Sequence, residues 1–192
     1  MARTPSSMLP LGTPMPPFEL RDVSSGRLVA GSATGQPGTL VMFISNHCPY
    51  VRHIVPVLVG LANAWVDRGL RVIAIGSNSI ETHPEDGPDE LRRAAESMGW
   101  RFDCCFDPTQ QVARDFTARC TPDFFLFDGG GRLFYRGQFD DARPGSPTPV
   151  TGSDLAAAVD ALLAGGPSPV EQWPSLGCNI KWHPGTEPPD GL

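Results

Sequence analysis

Two stretches of the chain are apolar at nearly every position rather than at alternate ones. They are GTLVMFIS, Gly38 to Ser45, and LRVIAIGS, Leu70 to Ser77. Runs of this length predict strands buried on both faces. Between them Val51, Ile54, Val55, Leu58, Leu61, Ala62 and Trp65 recur at intervals of three and four, which predicts one face of a helix starting near Pro49. Pro56 lies inside that helix and predicts a kink, and Gly69 marks its end. Strand, helix and strand in this order predict a parallel pair joined by a right-handed crossover.

The flanking pattern completes a mixed α/β plan. FELRDVSSGRLVAG alternates apolar and polar residues about Ser24-Ser25-Gly26 and reads as a hairpin. NSIETHPEDGP reads as a polar loop. DELRRAAESMG reads as a helix with Asp89 and Glu90 in its first turn and Gly99 at its exit. FDCCFD predicts a short strand and TQQVARDFTAR a short helix. PDFFLFDGGGRLFYRGQF is the strongest hairpin signal, two aromatic-rich runs around Asp128-Gly129-Gly130-Gly131. GSDLAAAVDALLAG predicts a last helix, capped by Ser153 or Thr151 and stopped by Gly165. Residues 1–17, with four prolines after position 9, read as an extended, partly ordered arm. The tail after Pro167 has little periodicity, but Trp173, Leu176, Ile180 and Trp182 predict that part of it packs on the body; its last residues read as disordered.

Composition narrows the class. The 192 residues suffice for one domain, with 40% hydrophobic residues available for a core. The net charge of −6 and the lack of a basic run argue against nucleic acid and anionic membranes as partners. No apolar stretch approaches the roughly 20 residues of a membrane span, and the N-terminus has no long apolar segment of the secretory kind. The expected location is the cytoplasm. The five cysteines, Cys48, Cys104, Cys105, Cys120 and Cys178, are odd in number without a secretory context, so a structural disulfide framework is not expected. Their spacings match no usual zinc motif, His47, Cys48, Cys120 and Cys178 included, and neither metal nor cofactor is expected.

The candidate chemistry lies in FISNHCPYVRHI, Phe43 to Ile54. Cys48-Pro49 falls where the first buried strand gives way to the helix. A thiol reacts as its thiolate, and a helix N-terminus favours an anion. Pro49 suits the first helical position, where no N–H is needed. His47 and Arg52 are near in sequence and could favour negative charge on sulfur, and Ser45 could donate a hydrogen bond to that sulfur or to a bound peroxide. The bland reading is an inert cysteine buried beside the strand, with His47 an exposed loop histidine and His53 a surface one. Cys178, in an aperiodic tail, could reach Cys48 by local rearrangement, or simply pack beside Trp173 and Trp182. Cys104 and Cys105 alternate faces of a strand and read as structural. Arg119 adjoins Cys120 and could position a peroxide electrostatically. Arg136 is a further candidate, whereas Arg143 reads as a loop ion pair with Asp140 or Asp141.

The element order, the helix-starting cysteine and a Thr-Pro before the late hairpin resemble the thioredoxin fold. GTPMPPFELRDVSSG resembles the opening of the peroxiredoxin branch, the alkyl hydroperoxide reductase and thiol-specific antioxidant family with its redoxin domain. NHCPYV, CTPDFFLFD, YRGQFDDARPG with PVTG, and GCNIKW resemble a peroxiredoxin-like bacterial subgroup, and the likeness spans roughly residues 10–183. It implies an α/β thioredoxin-like fold, a central mixed sheet flanked by helices, over residues 1–166. An N-terminal hairpin extends that fold, and residues 167–192 form an irregular, partly packed tail. It further implies a cis Thr121–Pro122 bond facing the redox cysteine, which makes Thr121 and Pro122 candidates for substrate contact and brings Cys120 near Cys48 as a second resolving candidate beside Cys178, the other reading of Cys120 being a small core residue. The subgroup usually carries a cysteine where this chain has Ser45, whereas peroxiredoxins proper carry Thr or Ser there. They also carry a proline where this chain has Val41.

The resemblance implies a thiol-dependent antioxidant oxidoreductase, a peroxidase acting on hydrogen peroxide or small hydroperoxides through Cys48. Its partners would be a peroxide or disulfide substrate and a thiol reductant such as a thioredoxin-type protein, with a homodimer allowed. A thioredoxin-like disulfide oxidoreductase is the alternative. Ser45 weakens it, because a hydroxyl is hardly ionised at neutral pH. A redox-silent binding module is the third reading.

Overall fold

The computed structural model describes residues 3–32 and 35–188. Seven strands form the main sheet: β2 (Phe18–Asp22), β3 (Leu28–Gly31), β4 (Gly38–Ile44), β5 (Arg71–Gly76), β6 (Asp103–Phe106), β8 (Asp123–Asp128) and β9 (Leu133–Gly137). Their order is β3-β2-β6-β5-β4-β8-β9. The central β4 pairs in parallel with β5 and antiparallel with β8. The sheet is mixed, and this is a thioredoxin-like α/β fold.

The continuous apolar runs have a plain cause: both faces of the sheet are covered. Along β4, Leu40, Met42 and Ile44 enter one core, and Val41 and Phe43 enter the other. In β8, Phe124 and Leu126 are separated in the same way from Phe125 and Phe127, and Cys104 and Cys105 divide likewise in β6. The first core takes Ile54, Leu58, Ala62 and Trp65 of α1 (Pro49–Asp67), Leu91 and Ala95 of α2 (Pro88–Ser97), and Leu155 and Val159 of α4 (Ser153–Leu163). The second takes Val112 and Ala113 of α3 (Gln111–Asp115), with Phe116 and Ile180. Period-2 strands and period-3.6 helices thus meet on both sides of one sheet.

The structure departs from the sequence reading in several places. The N-terminal arm is ordered over its described part. Its β1 (Arg3–Pro5) pairs with β10 (Leu176–Asn179), and the N–H groups of Gly12 and Met15 donate to Leu133 and Gly131. The tail is irregular apart from β10. That strand is the middle member of a three-stranded sheet, β1-β10-β7, in which β7 is Cys120–Thr121. The last four residues lie outside the described ones. Pro56 lies inside helix α1, as the sequence placed it, and sits on the exposed side. The cap of α4 is Gly152, at φ +68°, rather than Ser153 or Thr151; a Cβ there would meet the Phe139 ring at 2.5 Å. Arg143 makes no ion pair with Asp140: its guanidinium donates to the Asp140 and Ala142 carbonyls, while the Asp140 carboxylate accepts the N–H groups of Ala142, Thr151 and Gly152.

Candidate active site

The site lies where β4 ends and α1 begins. Cys48 is the N-cap of α1, in an extended conformation (φ −68°, ψ 119°), and Pro49 follows as its first helical residue. The Cys48 carbonyl accepts the first helical N–H, from Arg52, at 2.9 Å. The Cys48 side chain is fully buried, and its thiol donates to the Thr121 carbonyl at 3.0 Å. Thr121 precedes Pro122 through the cis peptide bond that the resemblance implied.

Cys178 reaches the same point from β10. Cys178 is the register partner of Thr121, whose carbonyl accepts the Cys48 thiol, and both cysteines are buried in the same core. Burial pushes the Cys178 thiol up to about 12, and the Cys48 thiol beside it pushes the same way. Cys120 is the third member of the cluster. Burial, and after it the charge of Asp123, raises its thiol well above the ordinary value, with smaller effects from Cys48 and Cys178. The Cys120 thiol faces the Pro122 carbonyl at 3.6 Å. All five cysteines are thiols, none in a disulfide.

A buried carboxylate organises the loop before Cys48. Asp86 accepts the N–H groups of Asn46 (2.6 Å) and His47 (3.2 Å), and its second oxygen faces His47 Nδ1 at 2.5 Å and the Asn78 amide at 2.7 Å. The Ser45 hydroxyl lies 3.1 and 3.0 Å from the two carboxylate oxygens and accepts the Cys48 N–H at 3.2 Å. Ser45 therefore does not donate to the Cys48 sulfur as the sequence suggested: its single proton is held by Asp86, a stronger acceptor than a thiol sulfur. His47 is not an exposed loop residue. Its ring stacks on His83 at 4.4 Å, and its buried Nε2 has no hydrogen-bond partner among the described residues. Burial lowers the His83 imidazole, as does the neighbouring His47.

Asp86 was not legible as a site residue. It stands in a 3₁₀ turn, Pro84–Asp86, inside a segment that reads as a polar loop. One signal pointed there: loops at the carboxyl ends of parallel strands converge on ligand sites, and this loop follows β5. Arg119 enters the site by its backbone, its N–H donating to Asp123 and its carbonyl accepting from Ile180. Arg136 is instead a buried structural partner, its guanidinium paired with both Asp123 oxygens at 2.6 and 3.2 Å and lying 3.6 Å above the Phe125 ring. His53 is half-buried and lines a small pocket beside Pro122 with Tyr50, Phe139, Arg143 and Leu176. Among the described residues, no group of three or more His, Cys, Asp or Glu side chains is arranged to hold a metal ion, and no helix is long and apolar enough to cross a membrane.

A helix-capping thiol facing a cis-proline, on a mixed sheet of this order, defines a thioredoxin-fold protein. A putative thiol:disulfide interchange protein DsbE from Chlorobium tepidum shares this fold at 19% identity, with a TM-score of 0.64 over 81% of this chain and 99% of that one. The pattern of the AhpC/TSA family matches residues 11–136, and the chain belongs to that family. Two solved structures are more similar over nearly the whole length. An uncharacterized conserved protein from Geobacillus kaustophilus is 46% identical, with a TM-score of 0.92 over 96% of this chain and 98% of that one. A hypothetical protein from Sinorhizobium meliloti is 44% identical, with a TM-score of 0.91 over 95% and 100%. No curated protein matches the chain. Family and fold together place it among thiol-dependent redox proteins.

Proposed function

We propose that the protein is a thiol peroxidase in which Cys48 is oxidised by peroxide and Cys178 resolves the product. The observation that carries this reading is the convergence of the two cysteines on Thr121: its carbonyl accepts the Cys48 thiol, Cys178 is its register partner in β10, and both side chains lie in one core. In the first step the Cys48 thiolate attacks one peroxide oxygen and the O–O bond breaks. Sulfur gains that oxygen as a sulfenic acid, and the other oxygen leaves as hydroxide or alkoxide and takes up a proton. His47, adjacent to Cys48 in the chain and held through Nδ1 by Asp86, is the group assigned in this reading to supply that proton. In the second step the Cys178 sulfur attacks the sulfenic sulfur. The S–O bond breaks, water leaves with the Cys178 proton, and a Cys48–Cys178 disulfide remains. A dithiol protein of the thioredoxin type, in a reducing cytoplasm, returns the pair to thiols. The roles of Thr121 and Pro122 in this reading are to wall the sulfur and contact the substrate; Cys120 is a reserve thiol and Arg119 a backbone support.

Burial favours peroxide over a protein disulfide as oxidant. Cys48 is 0% exposed and Cys178 is 1% exposed. A disulfide must approach a sulfur along its own S–S axis, carrying its chain with it. Hydrogen peroxide has two heavy atoms and can enter through small fluctuations. The test treats reduced protein with hydrogen peroxide and maps the product by mass spectrometry. A Cys48–Cys178 disulfide is expected in the wild type, a trappable sulfenic acid at Cys48 in Cys178→Ser, and no peroxide consumption in Cys48→Ser. Slow peroxide consumption that persists in Cys48→Ser, or fast Cys48-dependent reduction of protein disulfides without it, overturns the reading in favour of the oxidoreductase alternative.

A further inference from the structure

The two cysteines arrive on separate elements, Cys48 at the start of α1 and Cys178 in β10, and one buried side chain touches the supports of both. Asn78, 3% exposed, follows β5. Its amide N–H donates to Asp86 Oδ2 at 2.7 Å, and Asp86 holds the 45–48 loop through Ser45, Asn46 and His47. Its amide oxygen accepts the N–H of Lys181 at 2.8 Å, three residues beyond Cys178. The next residue, Ser79, donates its own N–H to the Lys181 carbonyl at 2.7 Å. Both peptide groups of Lys181 are thus fixed to the loop that also fixes Asp86. Gln110 adds a second bond to the Lys181 carbonyl, at 2.8 Å.

We propose that Asn78 is a positioning residue that sets the effective concentration of the Cys178 thiol at Cys48, and so sets how readily the pair closes to a disulfide. The inference rests on the Cys48–Cys178 pairing proposed above. The physical basis is that two groups held in register react as one unimolecular unit, and loosening either lowers the effective molarity by orders of magnitude. An amide suits the post because it offers a donor to the carboxylate and an acceptor to the backbone N–H at once. An aspartate there would set a second carboxylate against Asp86. An alanine would leave Asp86 short of one donor and Lys181 N–H unpaired.

The closing reaction can be read directly. Two thiols and one oxidised glutathione give the Cys48–Cys178 disulfide and two reduced glutathiones, so the ratio [GSH]²/[GSSG] at half-oxidation is the effective concentration sought. Full-length wild type, Asn78→Ala, Lys181→Pro and the double variant are equilibrated with glutathione buffers, quenched, and the disulfide fraction measured by mass. Lys181→Pro deletes the one N–H that Asn78 accepts and leaves the Asn78–Asp86 bond in place. Each single variant is expected to lower the midpoint ratio by about tenfold or more, and the double variant to lower it no further than Asn78→Ala. In the same variants peroxide should leave more trappable Cys48 sulfenic acid. Circular dichroism identifies a variant that fails to fold, in which case the other single variant decides. Midpoints within twofold of the wild type overturn the clamp while leaving the peroxidase reading intact. A wild type that forms no Cys48–Cys178 disulfide at any glutathione ratio overturns both.

Discussion

Gly177 lies so close to Thr121 that a Cβ added to it would sit 2.0 Å from the Thr121 carbonyl oxygen. That oxygen is the one that accepts the Cys48 thiol proton. A hydrogen at position 177 therefore lets β10 approach β7 closely enough for Cys178, the next residue, to meet Cys48. Replacing Gly177 by alanine is expected to push β10 away. Disulfide formation after peroxide treatment should fall by at least about tenfold, with Cys48 still oxidised to sulfenic acid. Mass mapping of the peroxide product checks this, and wild-type disulfide yield in Gly177→Ala would refute it.

The alkaline limb of stability should be steep. Burial pushes the Cys105 and Cys178 thiols up to about 12 from 9.0, and raises Cys104 and Cys120 as well. A folded-state value raised above the unfolded one stabilises the fold below the unfolded pKa, and that stability is lost as pH rises toward the folded value. Between pH 9 and about 12 the unfolded chain sheds protons that the folded chain retains, so stability falls with pH. Each such thiol contributes a slope of up to about 1.4 kcal/mol per pH unit. Urea midpoints of the reduced protein at pH 8 and pH 10.5 test the sign. The slope should be shallower in Cys105→Ala, and an unchanged slope there would rule out its contribution.

Ser45 joins the Cys48 N–H to Asp86. Ser45→Ala leaves both without that partner and should destabilise the fold by about 1–3 kcal/mol, seen as a lower urea midpoint. Ser45→Cys places a thiol three residues before Cys48. It should divert part of the oxidised product from the Cys48–Cys178 disulfide to one between Cys48 and the introduced thiol, as judged by peptide mapping. A product that remains wholly Cys48–Cys178 would show that the tail thiol outcompetes the local one.

The Arg136–Asp123 pair is fully buried, and Arg136 Nε also donates to the Ser7 carbonyl at 2.9 Å. Removing one partner strands a charge. Arg136→Met should cost about 3–5 kcal/mol, and Arg136→Met with Asp123→Leu should cost less than that single change. Denaturant unfolding of the three proteins decides it; a double variant less stable than Arg136→Met would contradict the argument.

What the sequence disclosed follows from where its signals are local. The β4 and β5 runs are apolar throughout because both faces are covered, and the α1 stripe faces one core. Cys48 was legible because a strand end and a proline-initiated helix bracket it. The partner of Ser45 and the strand that carries Cys178 were not legible. Asp86 is 41 residues from Ser45, and nothing in HPEDGP separates a buried carboxylate from a solvated one. LGCN has no periodicity because β10 takes its place from two neighbouring strands, β1 and β7, rather than from a buried face of its own.

That placement of β10 gives the site an order of assembly. The strand carrying Cys178 is flanked by Arg3–Pro5 on one side and Cys120–Thr121 on the other. Its contacts span nearly the whole chain, and such non-local pairings are slow to form. During synthesis the seven-stranded sheet and its helices can fold while residues 176–179 are still within the ribosome. Through that interval Cys48 has no Cys178 thiol to close upon. Until the last strand slots between the first and the seventh, Cys120 is the cluster thiol that accompanies Cys48 in the nascent protein.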